Sequence, residues 1–239
     1  MNDLEEMPED WQRALVLMAH PDDPEYGAGA AVAEWTAQGK EVAYTLASKG
    51  EAGIEGMPPA ESAHVRAEEQ QRACSHVGVD NLRFLDYPDG RIEEGLQLRR
   101  DLAREIRRSK PQLVITLNHH ETWGPGAWNS ADHRAVGRSV LDAAADASNG
   151  WIFEELSDEG FAPWDGVQWV AVLSMRPTHY LEVSGESLER AVSSLAEHKR
   201  YLEALSPGPV REQAQRQVEM VTGGPGAKHH RVGFELYSF

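Results

Sequence analysis

Runs of uninterrupted apolar residues alternate along this chain with segments whose apolar positions recur at helical spacing. Residues 13–19 form a short apolar run with the length of a buried strand. Residues 24–38 change to small residues with Val32 and Trp35 and stop at Gly39, which predicts a helix. Residues 41–47 are a second strand, so the order is that of a βαβ crossover. The glycines and prolines of 48–60 make a loop, 61–77 a helix closed by Gly78, 82–85 a short strand and 87–90 a turn. Residues 96–108 read as a helix and 112–117 as a buried strand. A glycine-rich, aromatic segment over 119–130 precedes a helix at 132–147, for which Asn129 or Ser130 offers a cap. Strands at 167–173 and 180–183, a long helix at 187–205, partly helical chain to 226 and a strand at 231–237 complete the series. Residues 1–12 read as a loosely held arm, and 206–239 as a C-terminal extension. The repeated strand-helix order predicts an α/β fold: a Rossmann-like three-layer αβα sandwich with a mainly parallel sheet and its site at the C-terminal ends of the strands.

Composition narrows the function classes. No linker-like stretch divides the 239 residues, so one domain over 1–239 is expected. The formal net charge of -16 argues against nucleic acid, which needs a basic face, and against anionic membrane surfaces. A single cysteine, Cys74, rules out an intramolecular disulfide and reads as a small buried apolar residue. The acidic first residues lack the features of a signal peptide, and no apolar run has the length of a membrane span, so a cytoplasmic location is expected. Composition leaves assembly as a homo-oligomer open.

The first strand ends in His20-Pro21-Asp22-Asp23-Pro24-Glu25. His20 and Asp23 are spaced so that a tight turn, stiffened by Pro21, lets both bind one ion, leaving Asp22 to act as a base. A strand end with a His-Pro turn and an Asp helix cap explains the same residues. Asp132-His133-Arg134 starts the helix after another buried strand, from where His133 can reach over the sheet edge towards His20 and Asp23. Two histidines and a carboxylate are a well-used zinc set that leaves room for a water; an unligated carboxylate can take that water's proton.

These residues resemble a known family. A-H-P-D-D before a small-residue helix, with D-H-R-A-V-G downstream, is similar to the PIG-L/LmbE-like zinc N-deacetylases. Gly50-Glu51-Ala52-Gly53, Arg66 with Glu69, the Tyr87-Pro88-Asp89-Gly90 turn and residues 178–200 extend the resemblance over most of 13–205. It implies one zinc ion per chain on His20, Asp23 and His133, Asp22 as general base, Asp132 and Arg66 in support of the site and in substrate contact, and an N-acetylated amino-sugar conjugate as the small-molecule substrate. The chain departs from the pattern at Ser130, where the family commonly places a helper histidine. A hydroxyl can donate a hydrogen bond but cannot serve as a protonated acid near neutral pH. His119, His120 and His179 are the candidates to supply the missing group, and Trp123 and Trp128 to face a sugar ring. The remaining histidines, His198 among them, read as surface or structural. Ser130 also keeps a second function in view, a degenerate member that binds a sugar conjugate or metal without turnover. A nucleotide-binding domain would carry a glycine fingerprint after the first strand, where His-Pro-Asp-Asp stands instead.

Overall fold

In a computed structural model, residues 4–239 are described. In chain order the elements are β1 (Glu5–Glu6), β2 (Arg13–Met18), α1 (Asp23–Gly27), α2 (Gly29–Ala37), β3 (Glu41–Leu46), α3 (Pro59–Val77), β4 (Asn81–Phe84), α4 (Leu96–Ser109), β5 (Leu113–Leu117), β6 (Thr122–Gly124), β7 (Ala127–Trp128), α5 (Ala131–Ser148), α6 (Glu155–Asp158), β8 (Trp169–Leu173), β9 (His179–Val183), α7 (Gly185–Ala196), α8 (Lys199–Leu205), α9 (Val210–Val221) and β10 (His230–Ser238). Eight strands form one sheet in the order β1-β9-β10-β8-β5-β2-β3-β4. Every pairing in it is parallel except those of β10, which is antiparallel to both β8 and β9. Helices α4 and α5 pack together, and α2, α3, α7 and α9 form a second helical group, giving three αβα layers. The fold is α/β and Rossmann-like, as the sequence pattern predicts.

The central strands are apolar because both faces are covered. Ala14 to Met18 of β2 and all of β5 are buried, and each large side chain so removed from water contributes about 1.5–3 kcal/mol. From β2 the chain crosses to β3 and β4 on one side, then returns to β5 on the other. The crevice between the C-terminal ends of β2 and β5 is therefore a topological switch point, the place where open parallel sheets bind ligands.

Four details differ from the sequence expectation. The helix foreseen over 24–38 is divided at Ala28, where small residues press on neighbours: Gly29 lies against Ala191 of α7. The helix foreseen over 187–205 is divided at the buried His198. Residues 4–12 are no loose arm: β1 pairs with β9, and Met7 and Trp11 are buried, Trp11 edge-on to Trp35. Nor is the C-terminal stretch an appendage, since β10 lies between β8 and β9 inside the sheet. Among the described residues no helix is long and apolar enough to cross a membrane.

Candidate metal centre and active site

The turn after β2 projects His20, Asp22 and Asp23 over the switch point, and the first turn of α5 brings Asp132 and His133 to meet them. Ligand atoms of His20, Asp23 and His133 lie within 4.8 Å of one another, and so do those of His20, Asp89 and Asp132. Asp23 sits between the two histidines. Its Oδ2 is 3.3 Å from His20 Nδ1 and accepts the His20 backbone N–H at 2.8 Å; its Oδ1 is 3.2 Å from His133 Nε2.

The other ring nitrogen of each histidine already has an acceptor. His20 Nε2 lies 3.1 Å from both Asp89 Oδ1 and Asp132 Oδ2. His133 Nδ1 lies 3.2 Å from Asn129 Oδ1, and Asn129 is oriented by its Nδ2, which donates to the carbonyls of Asn118 and His120. An acceptor on one nitrogen fixes the tautomer and leaves the other nitrogen's lone pair for a cation, here His20 Nδ1 and His133 Nε2, both beside Asp23. This donor set of two imidazoles and a carboxylate fits a zinc-type ion with an open position for a water. Asp132 also accepts the backbone N–H groups of Gly90 and Ile92, at 2.7 and 3.1 Å, so it ties the turn bearing Asp89 to the cluster.

Burial works against charge on His20, but Asp23, Asp132 and Asp89 outweigh it and raise its pKa well above 6.5. Burial likewise opposes ionisation of Asp23, yet His133 and His20 hold its carboxyl well below the usual range. Asp22 differs. Burial pushes its carboxyl up to about 7, with Arg66 opposing and Asp23 adding to the rise. Its backbone adopts φ 84° and ψ -30°, a sparsely populated conformation for a non-glycine residue that costs about 1–3 kcal/mol.

The family model described as PIG-L, GlcNAc-PI de-N-acetylase, matches residues 15–144, more than half of the chain. The chain belongs to the PIG-L family. Among its relatives, a probable N-acetyl-alpha-D-glucosaminyl L-malate deacetylase 2 of Bacillus anthracis is 30% identical over 141 residues, 56% of this chain and 60% of that protein. A 1D-myo-inositol 2-acetamido-2-deoxy-alpha-D-glucopyranoside deacetylase of Thermomonospora curvata is 27% identical over 200 residues, 69% of this chain and 61% of that protein. The chain thus spans about three-fifths of the length of these curated relatives. The solved N,N'-diacetylchitobiose deacetylase of Pyrococcus horikoshii superposes with a TM-score of 0.82 at 22% identity, over 96% of this chain and 85% of that one, a likeness of fold.

The PIG-L motif residues are not all placed as their resemblance implies. Arg66 is 2% exposed. Its Nη2 donates to Asp22 Oδ1 and to the Pro21 carbonyl, its Nη1 donates to the Gly50 carbonyl, and its guanidinium lies over Tyr201 at 4.1 Å. A side chain enclosed in this way holds Asp22 and is closed to direct substrate contact in this conformation. Ser130 occupies the N-cap position of α5 without a side-chain cap bond, and its hydroxyl bears no cap role there. His120 pairs with Glu235 at 2.8 Å, and Glu235 also accepts from Ser174 and Tyr237. His119 lies tilted against His120 with ring centroids 4.2 Å apart; its Nδ1 is buried without a partner, and burial lowers its pKa. His179 is bonded to Thr178 and faces Glu5 on β1, outside the two metal-type clusters. Trp123 meets the His133 ring edge-on at 6.3 Å, while Trp128 is 68% exposed with Arg134 stacked on it at 4.9 Å.

Asp89, Asn129, Glu25 and Gln70 contribute to the site although the sequence reading gave them no role in it. Asp89 stood as part of the turn that extends the family resemblance, without a role of its own, and Asn129 only as a cap. Gln70 had a signal: Ser62, Arg66, Glu69 and Gln70 share the buried face of α3 with Ala73, Cys74 and Val77, and polar residues in phase with a core stripe mark a buried polar network.

Proposed function

We propose that the chain is a zinc-dependent hydrolase that removes an N-acetyl, or related N-acyl, group from an amino-sugar conjugate, with Asp22 as general base. The observation that carries this reading is the His20–Asp23–His133 cluster with both histidine tautomers set by outer acceptors. The names of the relatives, deacetylases of glucosamine-containing molecules, support the substrate class. A zinc ion on these three residues would supply Lewis acidity to a carbonyl and to a water. The remaining chemistry belongs to the chain. Asp132 and Asn129 orient the two ligand imidazoles. Asp22, adjacent in sequence to the ligand Asp23, accepts the proton of the attacking water and returns it to the departing amine. Arg66 holds Asp22 on its buried side. His120, paired with Glu235, and its neighbour His119 are the candidates to stand in for the helper histidine that Ser130 replaces.

The experiment is a screen of N-acetylated amino-sugar conjugates for released acetate, run on protein whose zinc content has been measured. Acetate release that follows zinc occupancy supports the reading. Full zinc occupancy without acetate from any conjugate would instead support the binding role that Ser130 keeps in view.

Trp128 of β7, stacked with Arg134, offers an exposed aromatic surface that suits the apolar face of a sugar ring. Trp128→Ala is expected to raise KM for the preferred conjugate by roughly 3- to 10-fold with kcat little changed, the pattern of lost uniform binding. Steady-state kinetics check this, and a fall in kcat at constant KM would place Trp128 elsewhere in the mechanism.

A further inference from the structure

We propose that Gln70, backed by Glu25 and His198, is a positioning residue that sets the backbone of Asp22; the proposal rests on the reading of Asp22 as the base. The Asp22 N–H donates to Gln70 Oε1 at 2.9 Å. Gln70 Nε2 donates to Glu25 Oε1, also at 2.9 Å. Glu25 Oε2 lies 3.3 Å from His198 Nε2. Gln70, Glu25 and His198 are between 0% and 1% exposed. The chain of groups joins four parts of the fold: the turn after β2, α3, α1 and the junction between α7 and α8.

Chemistry fixes the direction of this chain. A backbone N–H only donates, so the Asp22 N–H takes the amide oxygen of Gln70 and the NH2 end of Gln70 is left to donate to Glu25. That oxygen meets an N–H whose residue sits at φ 84°. Arg66 restrains the Asp22 carboxylate and Gln70 restrains its main chain, so the two together select one conformation of a residue that sparse backbone statistics disfavour.

Stability alone does not account for the arrangement. Glu25 Oε2 and both ring nitrogens of His198 are buried without a well-formed hydrogen bond. Apolar residues of similar volume would serve a core at least as well as this partly satisfied polar chain. What apolar residues cannot supply is an acceptor aimed at the Asp22 N–H. The break between α7 and α8 falls at His198, so this distant junction supports the catalytic turn.

The test is a double-mutant cycle. Gln70→Met removes the acceptor at nearly constant shape. It is expected to retain zinc and KM while kcat falls about 10- to 100-fold, the size of loss that a small misplacement of a reacting group produces. In an Asp22→Asn background the same change should cost kcat almost nothing further, because Gln70 acts through Asp22. Equal losses in both backgrounds would overturn the proposal, as would loss of zinc in step with kcat. If Gln70→Met does not fold, Gln70→Asn, which keeps the amide but shortens its reach, enters the same cycle with the same criteria. An Asp22→Asn protein with undiminished kcat would refute the base assignment itself, a separate outcome read from the single variant.

Discussion

Replacing Asp22 with Asn is expected to lower kcat by about 10²–10⁴-fold, the usual cost of losing a general base. Zinc content and KM should stay near those of the parent protein. The substituted amide would preserve volume and one oxygen that can accept from Arg66, and His20, Asp23 and His133 would remain to bind the ion. It has no basic oxygen for the water's proton. A pH profile sharpens the expectation. As a general base Asp22 would have to be ionised, and burial pushes its carboxyl up to about 7 in the chain alone. A dication on the adjacent cluster favours the ionised form and moves that value down. The kcat/KM of the parent should therefore fall on the acid side, with its limb at about 7 or below, and the residual activity of the variant should lose this limb. A variant that turned over at the parental rate with zinc bound would remove Asp22 from the proton path.

The contrast between what the sequence revealed and what it hid follows from the range of the interactions concerned. The strand before His20 and the helix after Asn129 are local patterns, so the elements that carry His20, Asp23 and His133 were legible, and with them the candidate ion site. Long-range pairing was not. Nothing in residues 230–238 says that they enter between β8 and β9, or that Glu5 and Glu6 pair with β9. The breaks at Ala28 and His198 interrupt patterns that look continuous: the first falls between Gly27 and Gly29, where the helix meets α7, and the second at a buried histidine. Arg66 is the most instructive residue. The family resemblance implies support of the site and substrate contact for it, but three carbonyl or carboxylate partners and the Tyr201 ring enclose it, which leaves it the supporting part. Asp89 shows the converse: a residue that reads as part of a polar turn lies 3.1 Å from His20 because Asp132 holds the following amides.

Stripping the metal with a chelator is expected to abolish turnover and to leave a protein whose stability declines as the pH rises. In the metal-free cluster His20 is surrounded by Asp23, Asp132 and Asp89, which raise its pKa well above 6.5 despite burial. A group whose folded pKa lies above its unfolded value contributes its full stabilisation below the unfolded value, about 6.5 for histidine. That contribution is lost as the pH rises through the folded pKa. Asp23 has the opposite sign: its pKa is depressed, so its contribution is present above the ordinary aspartate value of 3.8 and is lost only in acid. From about neutral pH upward, then, the metal-free protein loses the His20 contribution while that of Asp23 stays constant. A bound dication requires the neutral imidazole and takes the place of the proton among the carboxylates. It also stabilises by mass action, by about 2.7 kcal/mol at a hundredfold excess over Kd. The rise in Tm on adding zinc to the stripped protein should accordingly grow as the pH rises from about 6.5 through the raised pKa of His20. Melting curves with and without zinc across that range, with zinc content measured at each point, provide the check. An increment that shrank with rising pH at full occupancy would mean that His20 neither carries the proton in the empty cluster nor yields it to the metal.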